Sequence, residues 1–449
     1  MQQSETSSPP EAISLAEAFW YWLKLGCISF GGPTGQIALM HTDLVERRRW
    51  ISEQRFLHAL NYCMLLPGPE AMQLAVYIGW LMHRKRGGIM AGVLFVLPSL
   101  FIMIALSWIY LAFGDVPVVA GVLFGIKPAI VAIVLTAAVR IGRRSLRNRW
   151  LIGIAILACM AITLLQLPFP LILLAAASAG IIGARLLPEK FQPGGGHTSS
   201  KNTYGRALID DHTPAPDHAI FFWKKLLIIS AAGIGITLLS LLALAYFTDN
   251  HHPLTQMGWF FTKAALLTFG GAYAVLPYVY QGAVNSYQWL TPEQIIDGLA
   301  LGETTPGPLI MIVAFVGFVG GWTKEIFGAS SLFVAGAAGA AVATFFTFLP
   351  SFVFILAGAP IVEATRNNLH LTAPMTAVTA AVVGVIVSLA IFFAEHVFHF
   401  SQPFEQWDLI SLAIGIAAVF AIWRYQLGTI KLIAACAAAG LVVSYLPLA

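Results

Sequence analysis

Apolar and polar positions alternate along this chain on two length scales. On the longer scale, apolar stretches of about bilayer-spanning length predict helices over 88–113, 117–141, 150–166 and 168–187, then 223–247, then 328–358, 370–395, 408–424 and 428–447. A polar segment, 188–222, divides the first four from the rest. It holds Pro193-Gly194-Gly195-Gly196 and several Ser, Asp and Lys, a composition too polar to enter a bilayer. On the shorter scale, 15–31, 33–45, 56–66 and 70–83 are apolar pieces separated by Gly-Gly-Pro and Pro-Gly-Pro. At about 1.5 Å rise per residue, most of them cover half to two-thirds of a hydrocarbon core. Pro removes a backbone donor and Gly weakens a helix, so each pair of pieces is either one broken spanning helix or a re-entrant hairpin.

The short-piece pattern occurs twice. Trp20, Lys24, Phe30-Gly31-Gly32, Trp50, Leu60 and Pro67-Gly68-Pro69 return at one constant offset as Trp259, Lys263, Phe269-Gly270-Gly271, Trp289, Leu299 and Pro306-Gly307-Pro308. Farther on, Leu97-Pro98-Ser99 recurs as Leu349-Pro350-Ser351 after a short insertion. Two related apolar halves, each interrupted by Gly and Pro at matching places, point to a transporter whose site lies between them.

Composition excludes a soluble chain, since 58% of the residues are hydrophobic and only 10% charged. The net charge of +4 sits in loops and reports orientation rather than nucleic-acid binding. Met1 to Glu11 shows no cleavable signal pattern. Cys27, Cys63, Cys159 and Cys436 lie in apolar segments without metal-type spacing and read as packed small residues. Lys and Arg crowd 83–86, 140–149 and the central linker, while the connections near Asp115, Gln166 and Asp249 carry none, which places the basic loops in the cytoplasm. The basic segment 41–55 stays on that side only if the pieces before it enter and return, which favours hairpins. Each half then changes sides an even number of times, and the odd helix 223–247 starts the second half from the opposite face. The expected fold is an all-α polytopic membrane protein of two inverted-topology repeats with broken or re-entrant helices. Its parts are a polar N-terminus 1–14, a first repeat 15–187, a cytoplasmic linker 188–222, a connecting helix 223–247 and a second repeat 254–449. The N-terminus is expected inside and the C-terminus outside.

Broken helices put helix termini inside the membrane, where exposed N–H groups at an N-terminus attract anions. The two Pro-Gly-Pro breaks would aim such ends at the midplane, while Gly31-Gly32 and Gly270-Gly271 would admit a ligand close to the backbone. Four termini around one pocket are expected. Lys24 and Lys263, equivalent in the two copies, suit a doubly negative substrate, with snorkelling to the headgroups as the competing reading. Lys127 is a deeper candidate for substrate or counter-ion contact. Thr34, Gln36, Thr304 and Thr305 are candidate donors to oxyanion oxygens, and Pro67-Gly68 and Gly307 belong to the same substrate-binding set. Glu70 and Glu303 are the proton-coupling candidates, because an enclosed carboxyl can take up and release a proton. They are not repeat equivalents: Met64 matches Glu303, and Leu309 matches Glu70. His251, His252, His396 and His399 read as surface histidines. There is no nucleotide-binding loop or nucleophile triad, so neither an enzyme nor an ATP-driven pump is expected, and no cofactor or metal is implied.

At these motifs the chain resembles the CHR family of chromate ion transporters. The supporting strings are Ser29-Phe30-Gly31-Gly32-Pro33-Thr34-Gly35-Gln36-Ile37, Glu46-Arg47-Arg48-Arg49-Trp50-Ile51 and Leu65-Leu66-Pro67-Gly68-Pro69-Glu70. Thr268-Phe269-Gly270-Gly271 and Glu303-Thr304-Thr305-Pro306-Gly307-Pro308-Leu309 supply the second half. The resemblance covers both halves and implies a bacterial inner-membrane protein that exports chromate, draws on the proton-motive force and confers chromate resistance, with sulfate as a chemical look-alike. Sulfate or another oxyanion is the alternative substrate, and an anion channel the alternative mechanism. Chromate, sulfate, protons, the bilayer and a second copy in a homodimer are the partners considered.

Overall fold

The computed structural model describes residues 12–186, 205–211, 213, 216–269, 271–364, 372–400, 402 and 408–445. Gly270 and the first part of the linker, 187–204, therefore lie outside the described residues. The protein is predominantly helical over these segments, and no named strand occurs among the described residues. Among the described residues six helices are long and apolar enough to cross a membrane. They are α4 (Glu70–Phe113), α5 (Pro117–Ser145), α7 (Phe169–Leu186), α8 (Trp223–Thr248), α13 (Leu332–Ala364) and α14 (Thr372–Phe398). The expected spans at 150–166, 408–424 and 428–447 are the shorter apolar helices α6 (Arg149–Thr163), α15 (Leu409–Tyr425) and α16 (Thr429–Ser444). At about 1.5 Å per residue each is several ångströms short of a typical core. The fold is an all-α polytopic membrane protein.

The short pieces fold back on themselves. In the first, α1 (Leu15–Ile28) is capped by Ser14 and stops at Ser29. Gly31 and Gly32 then take positive φ (88° and 69°), which only glycine adopts freely, and α2 (Gly32–His41) restarts with a proline in its first turn. A wide π-turn over Thr42–Arg47 brings the chain back beside its start. There Arg48 lies 3.7 Å from Glu17 and over the rings of Tyr21 and Trp50. The second copy repeats the course of the first, with Gly271 at a φ of 96° but without a proline in the first turn of the restarted helix. It comprises α9 (Pro253–Leu267), α10 (Ala272–Tyr280) and a π-turn over Gln281–Ser286, with Trp289 returning to the rings of Phe260 and Phe261.

The Pro-Gly-Pro pieces are hairpins too. α3 (Glu53–Cys63), capped by Ser52, leads to the first break, and α4 follows it. α4 is two helices joined where His83 and Arg84 leave helical geometry. The arms pack so closely that a Cβ on Gly87 would strike the carbonyl of Gly79. In the second half α11 (Pro292–Thr304), with a capping box at Thr291 and Gln294, precedes the break, and α12 (Ile312–Thr323) packs back against α13 at Gly317 and Gly339. The outer end of the first hairpins lies with the residues before α8: His83 meets the Ile13 carbonyl, Ser52 N–H donates to Ile209, and His218 meets the Trp80 carbonyl. The second set lies with the residues after α8, where Thr248 and Thr255 are hydrogen-bonded.

The breaks cross at the centre, and each is completed by the other half. Gly68 N–H donates to the Thr268 carbonyl at 2.7 Å, and its equivalent Gly307 N–H donates to the Ser29 carbonyl at 2.8 Å. Gln36 donates to the carbonyls of Ser29 and Gly307, and Gln73 to that of Pro67. The paired Leu-Pro-Ser motifs close over the same glycines, with Ser351 against Gly68 and Ser99 against Gly307. Gly68 and Gly307 have φ of 125° and 94°, so a side chain there meets both backbone strain and a filled neighbour. Gly68→Ala and Gly307→Ala should each destabilise the protein by about 2–4 kcal/mol, summing strain and overpacking. Thermal unfolding in detergent would register this as a clear drop in midpoint; Ser99→Gly should recover part of the loss in Gly307→Ala, and wild-type midpoints for both alanine variants would refute this account of the crossing.

Candidate functional site

Beside the crossing lies a cavity of about 300 Å³. Its walls come from both breaks: Gly31, Gly32, Pro33 and Thr34 from the first, Gly271, Ala272 and Tyr273 from the second. Met64 and Glu70 flank the first Pro-Gly-Pro, and Glu303 precedes the second. A third wall is one stripe of α5, where Ile133, Thr136, Ala137, Arg140, Ile141 and Arg144 recur at the three- and four-residue spacing of a single helix face. Thr379 of α14 and the α15–α16 connection at Leu427 and Thr429 complete it.

The charges are two of each sign. Glu70 is the first residue of α4, a position where the N-terminal end of the helix favours a carboxylate. Glu303 is buried and accepts a hydrogen bond from the Tyr273 hydroxyl. Tyr273 occupies the position equivalent to Thr34, so the two copies present hydroxyls of different reach. Arg140 and Arg144 form the rim and are exposed, and neither is ion-paired among the described residues. Two unpaired guanidinium groups at the mouth, hydroxyls on the wall and two carboxyls deeper in make a site that can draw in an oxyanion and exchange protons beside it.

The structure brings Gly31, Gly32, Thr34, Glu70, Gly271 and Glu303 together around this cavity. The helix ends at the start of α2, α4 and α10 reach it, whereas that of α12 does not. The remaining candidates sit elsewhere. Lys24 is exposed on the Trp20 face of α1, opposite the buried stripe Ala18, Tyr21, Trp22 and Leu25. Lys263 is likewise out of phase with the buried face of α9 and lines a separate cavity of about 1020 Å³ with Glu395 and Gln281. Lys127 pairs with the buried Asp297 at 3.3 Å, and the Tyr110 hydroxyl donates to the same carboxylate at 2.9 Å. Gln36, Pro67, Gly68 and Gly307 are engaged in the crossing itself. Thr304 and Thr305 direct their hydroxyls at the carbonyls of Leu301 and Gly302.

Arg140 and Arg144 are the residues that sequence reasoning assigned to another role. In the sequence they belong to the basic stretch 140–149, which reads as a loop whose charges orient the chain. The helix runs on to Ser145, which keeps both on the Thr136 face. Their spacing from Thr136, in steps of four, is the signal that marks them.

The pattern that describes the chromate transporter family matches this chain twice, over residues 16–181 and 255–441. A chromate transport protein of Pseudomonas aeruginosa is 33% identical over 447 residues, covering 98% of this chain and 94% of its own. That of Cupriavidus metallidurans is 31% identical over 382 residues, 85% of this chain and 83% of its own. A probable chromate transport protein of Synechococcus elongatus is 29% identical over 413 residues, 92% and 91% respectively. No solved structure matches. Each matched block contains one Phe-Gly-Gly and one Pro-Gly-Pro break, the elements that frame the cavity, and the chain belongs to the chromate transporter family.

Proposed function

We propose that this protein exports chromate from the cytoplasm across the bacterial inner membrane, binding the dianion in the cavity between the two breaks. The observation that carries this reading is a pair of arginines, ion-paired to none of the described residues, over a cavity walled by Gly31, Gly32 and Gly271. The mouth lies at the α5–α6 and α15–α16 connections, whose basic residues orient them to the cytoplasm. The far side is closed by the Gly68–Thr268 and Gly307–Ser29 bonds, which supports alternating access rather than an open channel. Sulfate, with the same shape and charge, is the natural competitor.

The membrane potential supplies a drive. At about 2.3 kcal/mol per charge per 100 mV, a dianion leaving a negative interior gains roughly 4.6 kcal/mol. The carboxyls modify that sum. With Arg140, Arg144, Glu70 and Glu303 all charged, the cavity is neutral when empty and doubly negative with chromate bound. Protonation of a carboxyl relieves the excess, so dianion and proton favour each other in this site, and by linkage the effect is reciprocal. Each carboxyl that crosses protonated with the dianion lowers the electrical drive by roughly 2.3 kcal/mol per 100 mV.

The halves are proposed to be inverted repeats, an arrangement supported by the two hairpin sets lying at opposite ends of α8. Met1 is then inside and Ala449 outside. Reporter fusions should give a cytoplasmic signal at the N-terminus and an external one at the C-terminus; two cytoplasmic signals would exclude inversion.

Chromate uptake into inverted vesicles, with sulfate competition and with potential and pH gradient set separately, tests transport. Accumulation against a gradient is expected, and downhill flux alone would identify a channel. Arg140→Ala and Arg144→Ala should each raise the half-saturating chromate concentration about tenfold or more, the scale of a charge-assisted hydrogen bond. Lys24→Ala should stay within about twofold of wild type, given the small effects of exposed charges. The reverse ranking would return the site to the lysines.

Glu303→Gln mimics the protonated carboxyl. Wild-type affinity for chromate should fall as pH rises, because the proton that accompanies the dianion becomes scarce. In Glu303→Gln that slope should flatten, with affinity at high pH above wild type. An unchanged slope would assign the proton to Glu70, which the matching Gln variant would then reveal.

A further inference from the structure

A second built cavity lies far from the chromate site, at the turn of α4. Three consecutive cations, Arg84, Lys85 and Arg86, stand at the tip of this turn, and Arg84 is held at a φ of 55° to make it. The turn is pinned on both flanks by His83 on the Ile13 carbonyl (2.9 Å) and His218 on the Trp80 carbonyl (3.0 Å). With Lys225 from the start of α8, these cations line a recess of about 630 Å³ that no carboxylate shares among the described residues. None of the four is ion-paired among the described residues.

The recess does not end at the charges. Through Lys85, Ile228, Ile229 and Leu356 it continues into a furrow of about 560 Å³ between α8, α4 and α13, walled by aliphatic and aromatic side chains. The furrow exists because α8 touches its neighbours sparsely, with Gly233 against Val353 as its close approach there. Val93 and Ile228 at its edges are exposed. A soluble anion would use the recess and leave the furrow bare, while an acyl chain would fill the furrow and leave the cations unpaired. A molecule that carries a phosphate on two acyl chains satisfies both.

We propose that this seam binds one anionic glycerophospholipid, its phosphate against Arg86 and Lys225 and its chains along α8. Basic recesses between membrane helices suit such headgroups, and a cavity of this size is in the range of specific ligand sites. The lipid would touch the first half through α4, the second through α13 and the connector through α8. It therefore fills the joint across which the halves must move.

The test uses the full chain in phosphatidylcholine nanodiscs, titrated with phosphatidylglycerol, with thermal midpoint and bound-lipid mass as readouts. Phosphatidylglycerol should raise the midpoint and be retained at one molecule per chain. Arg86→Ala and Lys225→Ala should weaken that binding about fivefold for each charge removed. Val93→Trp, which fills the furrow and keeps every charge, should weaken it too. Equal stabilisation by phosphatidylcholine would overturn the proposal in favour of a general bilayer effect. Displacement by inorganic phosphate, or full binding by Val93→Trp, would overturn it in favour of a soluble-anion site. None of these readouts involves chromate, so they stand apart from the transport assignment.

Discussion

An unpaired backbone N–H or carbonyl inside a bilayer costs several kcal/mol, and this fold interrupts its helices four times where water is scarce. The interruptions persist because each supplies what another lacks. Gly68 gives its N–H to Thr268 and Gly307 gives its own to Ser29, while Gln36 takes up two carbonyls. Everything functional hangs on this exchange. It brings Gly31, Gly32 and Gly271 to one place, opens a space with little side-chain bulk and holds three helix N-termini against it. Ser99 and Ser351 then seal the glycines from behind.

Upon that symmetric frame the chemistry is one-sided. Thr34 faces Tyr273, Met64 stands where the other copy has Glu303, and Leu309 where it has Glu70. The arginine stripe belongs to α5 alone. A symmetric cavity would offer an anion the same surroundings from either half. The asymmetric one has a cationic entrance and a carboxyl-lined interior, so under the proposed function binding would have a direction that the scaffold itself lacks. Lys127, Asp297 and Tyr110 lie on the same two helices as Arg140 and Glu303 and on α4, and they tie α5, α11 and α4 together away from the arginine mouth.

The frame was legible in the sequence because Gly and Pro act through the backbone, and their consequences do not depend on which way a side chain points. Breaks at 30–33, 67–69, 269–271 and 306–308, helices between them and a connector at 223–247 all follow from spacing. Side-chain direction is a different matter. Lys24 and Lys263 repeat faithfully, yet the buried phase of α1 runs through Ala18, Tyr21, Trp22 and Leu25, and Lys24 falls between. That phase is written in the sequence, but charge at a matched position outweighed it. Arg140 and Arg144 are hidden for the opposite reason: a cluster of basic residues reads as a loop, although arginine is a good helix former and suits the last turn of a helix. The pairing of Lys127 with Asp297 joins residues 170 apart in the chain and has no local signature at all.

The reciprocal bonds at the crossing also bear on how the chain comes to be. The first half leaves the ribosome with the Gly68 N–H lacking its partner and the Ser29 carbonyl held by Gln36 alone, since Thr268 and Gly307 are not yet made. Until Thr268 arrives, the first pair of hairpins must keep the Gly68 N–H hydrated, at the membrane surface or against the translocation machinery. The centre can therefore close only once Gly307 has been made, and a half-length chain could reach the same state only by meeting a second copy of itself.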